Sequence, residues 1–281
     1  MSHPVLVTGA TGAQGGAVAR ELLQRGRAVR AMTRDTTKPA AKELAALGAE
    51  VVAGDFDDPA GLRAAATGAA AVFAMGTPFE VDPETETRQG IALLDAVHAA
   101  GVGHIVYTSV ASALDGTGIP HFESKALVEQ HLSTLDTPWT VIAPVAYLDN
   151  LVSPWTAPAI AQGTYAFPLP ADVPLQQVAV ADIAAFAALV VQEPERFAGK
   201  RVELASTEHT GTEVAAALSR WLGRPVAYAE TGIDPDNEDF QRMVEFFRRG
   251  GYTVDLPALH AAYPEVRWHD LETWGATQTW S

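Results

Sequence analysis

Two short β-forming runs, Val5 to Thr8 and Ala28 to Thr33, bracket a glycine-rich turn, Gly9-Ala10-Thr11-Gly12-Ala13-Gln14-Gly15-Gly16, and an apolar helix pattern that runs on to Arg25. A strand that feeds a glycine turn, opens a helix and returns to a second strand is the context a dinucleotide-binding fingerprint requires. Each residue type has a physical task there. Gly9 permits the tight exit from the strand, Gly12 lets backbone approach a pyrophosphate closely, and Gly15 or Gly16 lets the helix pack on the sheet. The N–H groups at the helix start, around Thr11, Ala13 and Gln14, attract the anion. A glycine-rich turn alone also serves ordinary β-to-α connections. Here strand, turn, helix and second strand all fall in place, which points to a nicotinamide dinucleotide.

The alternation continues. Helices are expected at Pro39 to Leu47, Pro59 to Ala66, Glu84 to Ala100 and His121 to Ser133, and strands at Glu50 to Ala53, Ala70 to Met75, His104 to Thr108 and Trp139 to Ala143. Alternation of this kind implies parallel strands with right-handed crossover helices, so the fold class is α/β, a doubly wound parallel Rossmann sheet. Beyond Pro144 the pattern stops, and residues 151 to 174 are rich in proline. Gln176 to Val180, then Asp182 as an N-cap and a helix Ile183 to Val191, read as a return to the sheet, followed by a strand Arg201 to Ala205. A helix Thr212 to Trp221, a strand Val226 to Tyr228 and a helix Asp236 to Arg249 complete a smaller, discontinuous C-terminal α/β domain. The expected division is residues 1–150 plus about 175–205 for the Rossmann domain and about 151–174 plus 206–281 for the smaller one.

Composition narrows the function. The 281 residues carry a formal net charge of -15, so a phosphate backbone would meet a repulsive field, and direct nucleic-acid binding is not expected. With no cysteine there is no thiolate chemistry, and no histidine pair has zinc-ligand spacing, so no metal is expected. His98, His104, His209 and His260 read as structural or solvated, the last two in loop-like contexts. The first strand begins near Met1 and no apolar run reaches the ~20 residues of a membrane span, so a cytoplasmic protein, monomer or homodimer, is expected.

Cofactor choice is read at the end of the second strand. An acid there binds a ribose 2′-hydroxyl, whereas an arginine favours a 2′-phosphate. This strand ends Met32-Thr33-Arg34, which favours NADP(H), with Arg34 and Lys38 as phosphate partners and NAD(H) still accommodated. Arg34 has a plainer reading as a solvated surface charge, and Asp35 is a carboxylate that would weaken the preference.

The G-x-x-G-x-x-G spacing resembles the short-chain dehydrogenase/reductase superfamily. Taken with Thr33-Arg34, Gly54-Asp55-Phe56-Asp57-Asp58, His121-Phe122-Glu123-Ser124-Lys125, Pro144 to Leu151, Val178 to Ile183, Leu222 to Val226 and Trp274, it resembles the NmrA-like family of its atypical branch. The resemblance implies that Asp55 and Phe56 meet the adenine, that Gly76 and Thr77 lie beside the middle of the cofactor, and that backbone at Pro144 and Tyr147 holds the nicotinamide amide. It also implies a catalytic pair. Typical members carry a tyrosine and, four residues on, a lysine that binds the ribose. Here His121 stands in the tyrosine position and Lys125 remains, while the usual serine falls near Val110 with Ser109 and Ser112 flanking it. His121 reads equally as a proton donor or as a helix-start residue, and Tyr147 is a second source of the proton. Tyr147, Trp155, Phe246 and Phe247 are pocket candidates, the last two equally core residues. The family contains both reductases of quinones, azo dyes and phenolics and NADP(H)-sensing regulators. Two functions follow: an NADPH-dependent oxidoreductase acting on a small apolar quinone, imine, enone or azo substrate, or a redox sensor acting through a protein partner.

Overall fold

A computed structural model describes residues 3–76 and 82–280. In chain order its elements are β1 (Val5–Val7), α1 (Ala13–Gln24), β2 (Val29–Thr33), α2 (Pro39–Ala46), β3 (Glu50–Ala53) and α3 (Pro59–Ala66). Then come β4 (Ala71–Ala74), α4 (Pro83–Ala99), β5 (Ile105–Thr108), α5 (Pro120–Leu132), β6 (Trp139–Pro144) and β7 (Ala146–Tyr147). The chain continues through α6 (Ala157–Ala161), β8 (Thr164–Phe167), β9 (Pro174–Val178), α7 (Val180–Gln192), α8 (Pro194–Phe197) and β10 (Lys200–Leu204). It ends with β11 (Thr207–Thr210), α9 (Gly211–Leu222), β12 (Ala227–Glu230), α10 (Glu238–Arg248), α11 (Leu256–Ala262) and α12 (Leu271–Gly275).

Two compact units result: Met1–Gly116, Pro120–Ala143 and Ile183–Glu203 form one, and Thr117–Ile119, Pro144–Asp182 and Leu204–Ser281 the other. The first is built on a seven-stranded sheet of order β10-β6-β5-β4-β1-β2-β3. The pairs β1–β2, β1–β4, β2–β3, β4–β5 and β5–β6 are all parallel. Helices cover both faces of such a sheet, which is why β1, β4 and β5 are apolar runs buried at every position. Strand order reverses between β1 and β4, the switch point beyond whose carboxyl ends α/β sheets bind ligands. The doubly wound reading of the sequence holds.

The second unit carries a three-stranded sheet, β11-β9-β7, and a β12-β8 pair. Tyr165, Val214, Leu218, Leu271 and Trp274 fill its core. α9 opens on a capping box in which Thr210 and Glu213 satisfy each other's backbone N–H.

Several local expectations are corrected. The run at Gln176 becomes β9 in the three-stranded sheet, where it pairs antiparallel with β11, so it does not rejoin the large sheet. α7 starts at Val180, which puts Asp182 inside the first turn, fully buried, and not at the N-cap. His209 lies on β11 and His260 on α11, stacked on Trp268 with ring centroids 5.0 Å apart, so neither is in a loop. Phe247 is buried and Phe246 half-buried, and both rings pack on Tyr252.

Candidate cofactor site

The turn after β1 is held closed by Gly12 N–H donating to Gly9 O at 2.9 Å. Two of its glycines are demanded by the chain itself. Gly9 has φ +59, and a Cβ there would lie 2.6 Å from Met75 Sδ; one on Gly15 would lie 2.4 Å from Gly9 O. Gly12 differs. Its φ of -89 suits any residue, and an added Cβ would meet only Gly9 O, at 3.3 Å. Packing within the turn therefore disfavours a side chain less at Gly12 than at Gly9 or Gly15, and the outer side of Gly12 is exposed. Gly12 and Ala13 are exposed at the start of α1, which has no side-chain cap and no acid in its first turn. Asp58, Asp82, Thr210, Asn237, Asp255 and Asp270 cap α3, α4, α9, α10, α11 and α12, while α2, α6 and α8 also start without a side-chain cap, and α1 differs from those three in opening on an exposed glycine. An uncapped positive helix end behind an open glycine suits a pyrophosphate.

Neighbouring side chains brace this turn. Thr8 Oγ1 accepts from Met75 N at 2.9 Å, tying the end of β1 to the end of β4. Gln14 Nε2 donates to Thr108 Oγ1 at 2.8 Å, and Thr11 Oγ1 lies 3.3 Å from Thr33 Oγ1. Past β2, Arg34 and Lys38 are exposed. The Asp35 carboxylate accepts from Thr37 N at 2.8 Å and Thr37 Oγ1 at 2.6 Å, bonds that hold it below the usual carboxylate range. Its own loop engages it. Asp55 is exposed and accepts from Asp57 N at 2.9 Å, while the half-buried Phe56 packs against the core. Gly76 follows β4, and Thr77 lies outside the described residues.

On α5, His121 and Lys125 are each only 7% exposed. The His121 ring meets Phe122 edge-on, centroids 4.7 Å apart. Lys125 Nζ donates to Glu86 Oε1 at 2.5 Å, and Ser124 Oγ donates to Glu86 Oε2 at 2.6 Å. Sequence reasoning missed Glu86, which sits in a polar stretch, Pro83 to Arg88, that reads as a solvated helix start. Ser109, which flanks Val110, is also engaged. Ser109 donates to the Glu129 carboxylate, which also accepts from Arg201 Nε at 2.9 Å. Arg201 in turn donates to Val110 O at 2.9 Å and Glu203 Oε1 at 2.7 Å, and Glu203 Oε1 accepts from Ser112 N at 2.9 Å. Ser112 sits at φ +60, a strained conformation for a residue with a side chain. Ser109 is thus part of a brace for this loop. Pro144 ends β6 and Tyr147 ends β7. Burial, with a smaller push from the Asp149 carboxylate, raises the Tyr147 phenol well above its ordinary range, so it holds its proton.

A reversed parallel sheet with an open glycine turn at its switch point defines a Rossmann protein of the dinucleotide-binding kind. The chain belongs to the NmrA-like family, whose model matches residues 1–252. It is 34% identical over 234 residues to the (4-alkanoyl-5-oxo-2,5-dihydrofuran-3-yl)methyl phosphate reductase of Streptomyces griseus, covering 82% of this chain and 78% of that protein. With the NAD(P)H azoreductase of Xenophilus azovorans it shares 32% over 231 residues, again 82% and 78% of the two chains. Among solved structures, the NADPH complex of an Escherichia coli NADPH-dependent quinone oxidoreductase superposes with a TM-score of 0.80 at 25% identity, covering 97% of this chain and 98% of that one. Among the described residues no helix is long and apolar enough to cross a membrane.

Proposed function

We propose that this chain is an NADPH-dependent reductase of a small, flat, apolar molecule of the quinone, imine, enone or azo type. The cofactor half of the reading is carried by the exposed Gly12 at the uncapped start of α1. Support comes from relatives that are named for reductions of azo, quinone and unsaturated furanone compounds. In this reading Gly9, Thr11, Gly12, Ala13, Gln14 and Gly15 hold the pyrophosphate. Thr33, Arg34 and Lys38 take the 2′-phosphate side, Asp55 and Phe56 the adenine, Gly76 the middle and Lys125 the ribose.

NADPH, when bound, supplies a hydride. His121 then donates the balancing proton to the substrate oxygen or nitrogen, with water as the alternative source. Tyr147, whose phenol burial keeps protonated, is a further source of that proton. A second reading, a sensor acting through a protein partner, is favoured by one observation: buried carboxylates already engage both Lys125 and Ser109.

Steady-state NADPH oxidation against a panel of quinones, imines, enones and azo compounds tests the choice. Turnover clearly above background establishes the reductase. Tight NADPH binding with no turnover across the panel favours the sensor.

A further inference from the structure

α4 and α5 pack closely at Gly90, where an added Cβ would lie 2.7 Å from Val128 Cγ2. One turn earlier on each helix are Glu86 and Ser124, with Lys125 beside it, so the same close packing presses these side chains together. Glu86 and Ser124 are 2% exposed and Lys125 7%. Both carboxylate oxygens are used, Oε1 by Lys125 at 2.5 Å and Oε2 by Ser124 at 2.6 Å. The same Oε1 lies 3.1 Å from where a Cβ on Gly76 would stand, so the pair abuts the backbone that leaves β4 beside the glycine turn.

A buried ion pair rarely stabilises a fold more than apolar residues of equal volume. Its location gives it another use. We propose that Glu86 is a positioning residue that fixes the Lys125 ammonium for a cofactor ribose hydroxyl, an inference that rests on the NADP(H) reading above. Glu86 accepts from one of three ammonium donors and sets the direction of the others. It also offsets the positive charge, so Lys125 presents an aimed N–H donor and not a bare cation. Ser124 holds the carboxylate from its other side.

Calorimetric titration of NADPH into the wild type, Glu86→Gln, Lys125→Met and the double variant tests this, with Tm of each protein measured without cofactor. Glu86→Gln is expected to weaken NADPH by ~10-fold, the scale of one orienting hydrogen bond, and to have no further effect in the Lys125→Met background. An unchanged Kd with a lowered Tm assigns Glu86 a structural role only and overturns the proposal. Equal weakening in both backgrounds overturns it too, because Glu86 would then act on the cofactor without Lys125. Should Glu86→Gln fail to fold, Glu86→Asp keeps the charge but shortens the reach: weaker NADPH at unchanged Tm supports the proposal, and unchanged affinity overturns it. A wild type that does not bind NADPH at all refutes the cofactor reading itself, and this inference with it.

Discussion

Asp182 and His269, 87 positions apart, share two hydrogen bonds: His269 Nδ1 to Oδ1 at 2.5 Å and His269 N to Oδ2 at 2.9 Å. Ser206 Oγ also donates to Oδ2, at 2.5 Å, and accepts from Ala179 N at 3.1 Å. One buried carboxylate thereby ties the start of α7, the approach to β11 and the segment before α12. The bond to Asp182 raises the His269 pKa, with Asp149 and Asp270 adding smaller pushes against the lowering effect of burial. A raised folded-state value means that the charged imidazole stabilises the fold. That contribution is complete below the unfolded value of ~6.5 and is lost as pH rises through the higher folded value. Tm is therefore expected to fall over this range more steeply for the wild type than for His269→Gln. His269→Ala strips Asp182 of a charge-assisted partner and is expected to cost ~1.5–3 kcal/mol in chemical denaturation near pH 6. Parallel Tm curves for wild type and His269→Gln count against the linkage.

The glycines of the first turn should separate by what each one faces. Gly12→Val places a side chain in the open cradle and is expected to abolish NADPH binding while the circular dichroism spectrum stays native. Gly15→Ala drives a methyl against Gly9 O and is expected to cost ~1–3 kcal/mol or more in stability before any cofactor is added. Retained NADPH affinity in Gly12→Val would place the phosphate elsewhere.

Arg34 is exposed, and Asp35, its acidic neighbour, is engaged by Thr37. NADPH is expected to bind more tightly than NADH by about 1–3 kcal/mol, the scale of a charge-assisted contact. Arg34→Ala should erase the difference by weakening NADPH alone. Calorimetry in which both cofactors weaken equally removes Arg34 as the selector.

If His121 donates the proton, His121→Phe is expected to lower turnover by ~10²–10⁴-fold with NADPH affinity little changed. Lys125→Ala is expected to weaken cofactor and turnover together. It also leaves Glu86 charged and buried without its partner, a loss of ~3–5 kcal/mol by urea denaturation. Full turnover in His121→Phe transfers the proton donation to water or Tyr147.

The glycine turn was legible because its signal is local. Gly9, Gly12 and Gly15 lie within seven positions of one another and between two β runs, and the physics of a turn involves only such neighbours. The alternation of strands and helices was legible for the same reason, since hydrophobic period is a property of a short window. At Gln176 the sequence points to the Rossmann core, whereas the stretch pairs with β11 in the smaller sheet, because a five-residue strand carries no mark of its pairing partner.

By itself, then, the sequence determines the doubly wound class, the glycine turn and the cationic end of β2. The tertiary structure alone decides who meets whom at long range. Lys125 and Glu86 are 39 positions apart, Ser109 and Glu129 20, and Asp182 and Ser206 24, and no periodicity within a helix or strand predicts those meetings. They arise because close helix packing, as at Gly90 and Val128, leaves buried polar groups no water to bond. Each must then find its partner on whatever element the fold has brought alongside.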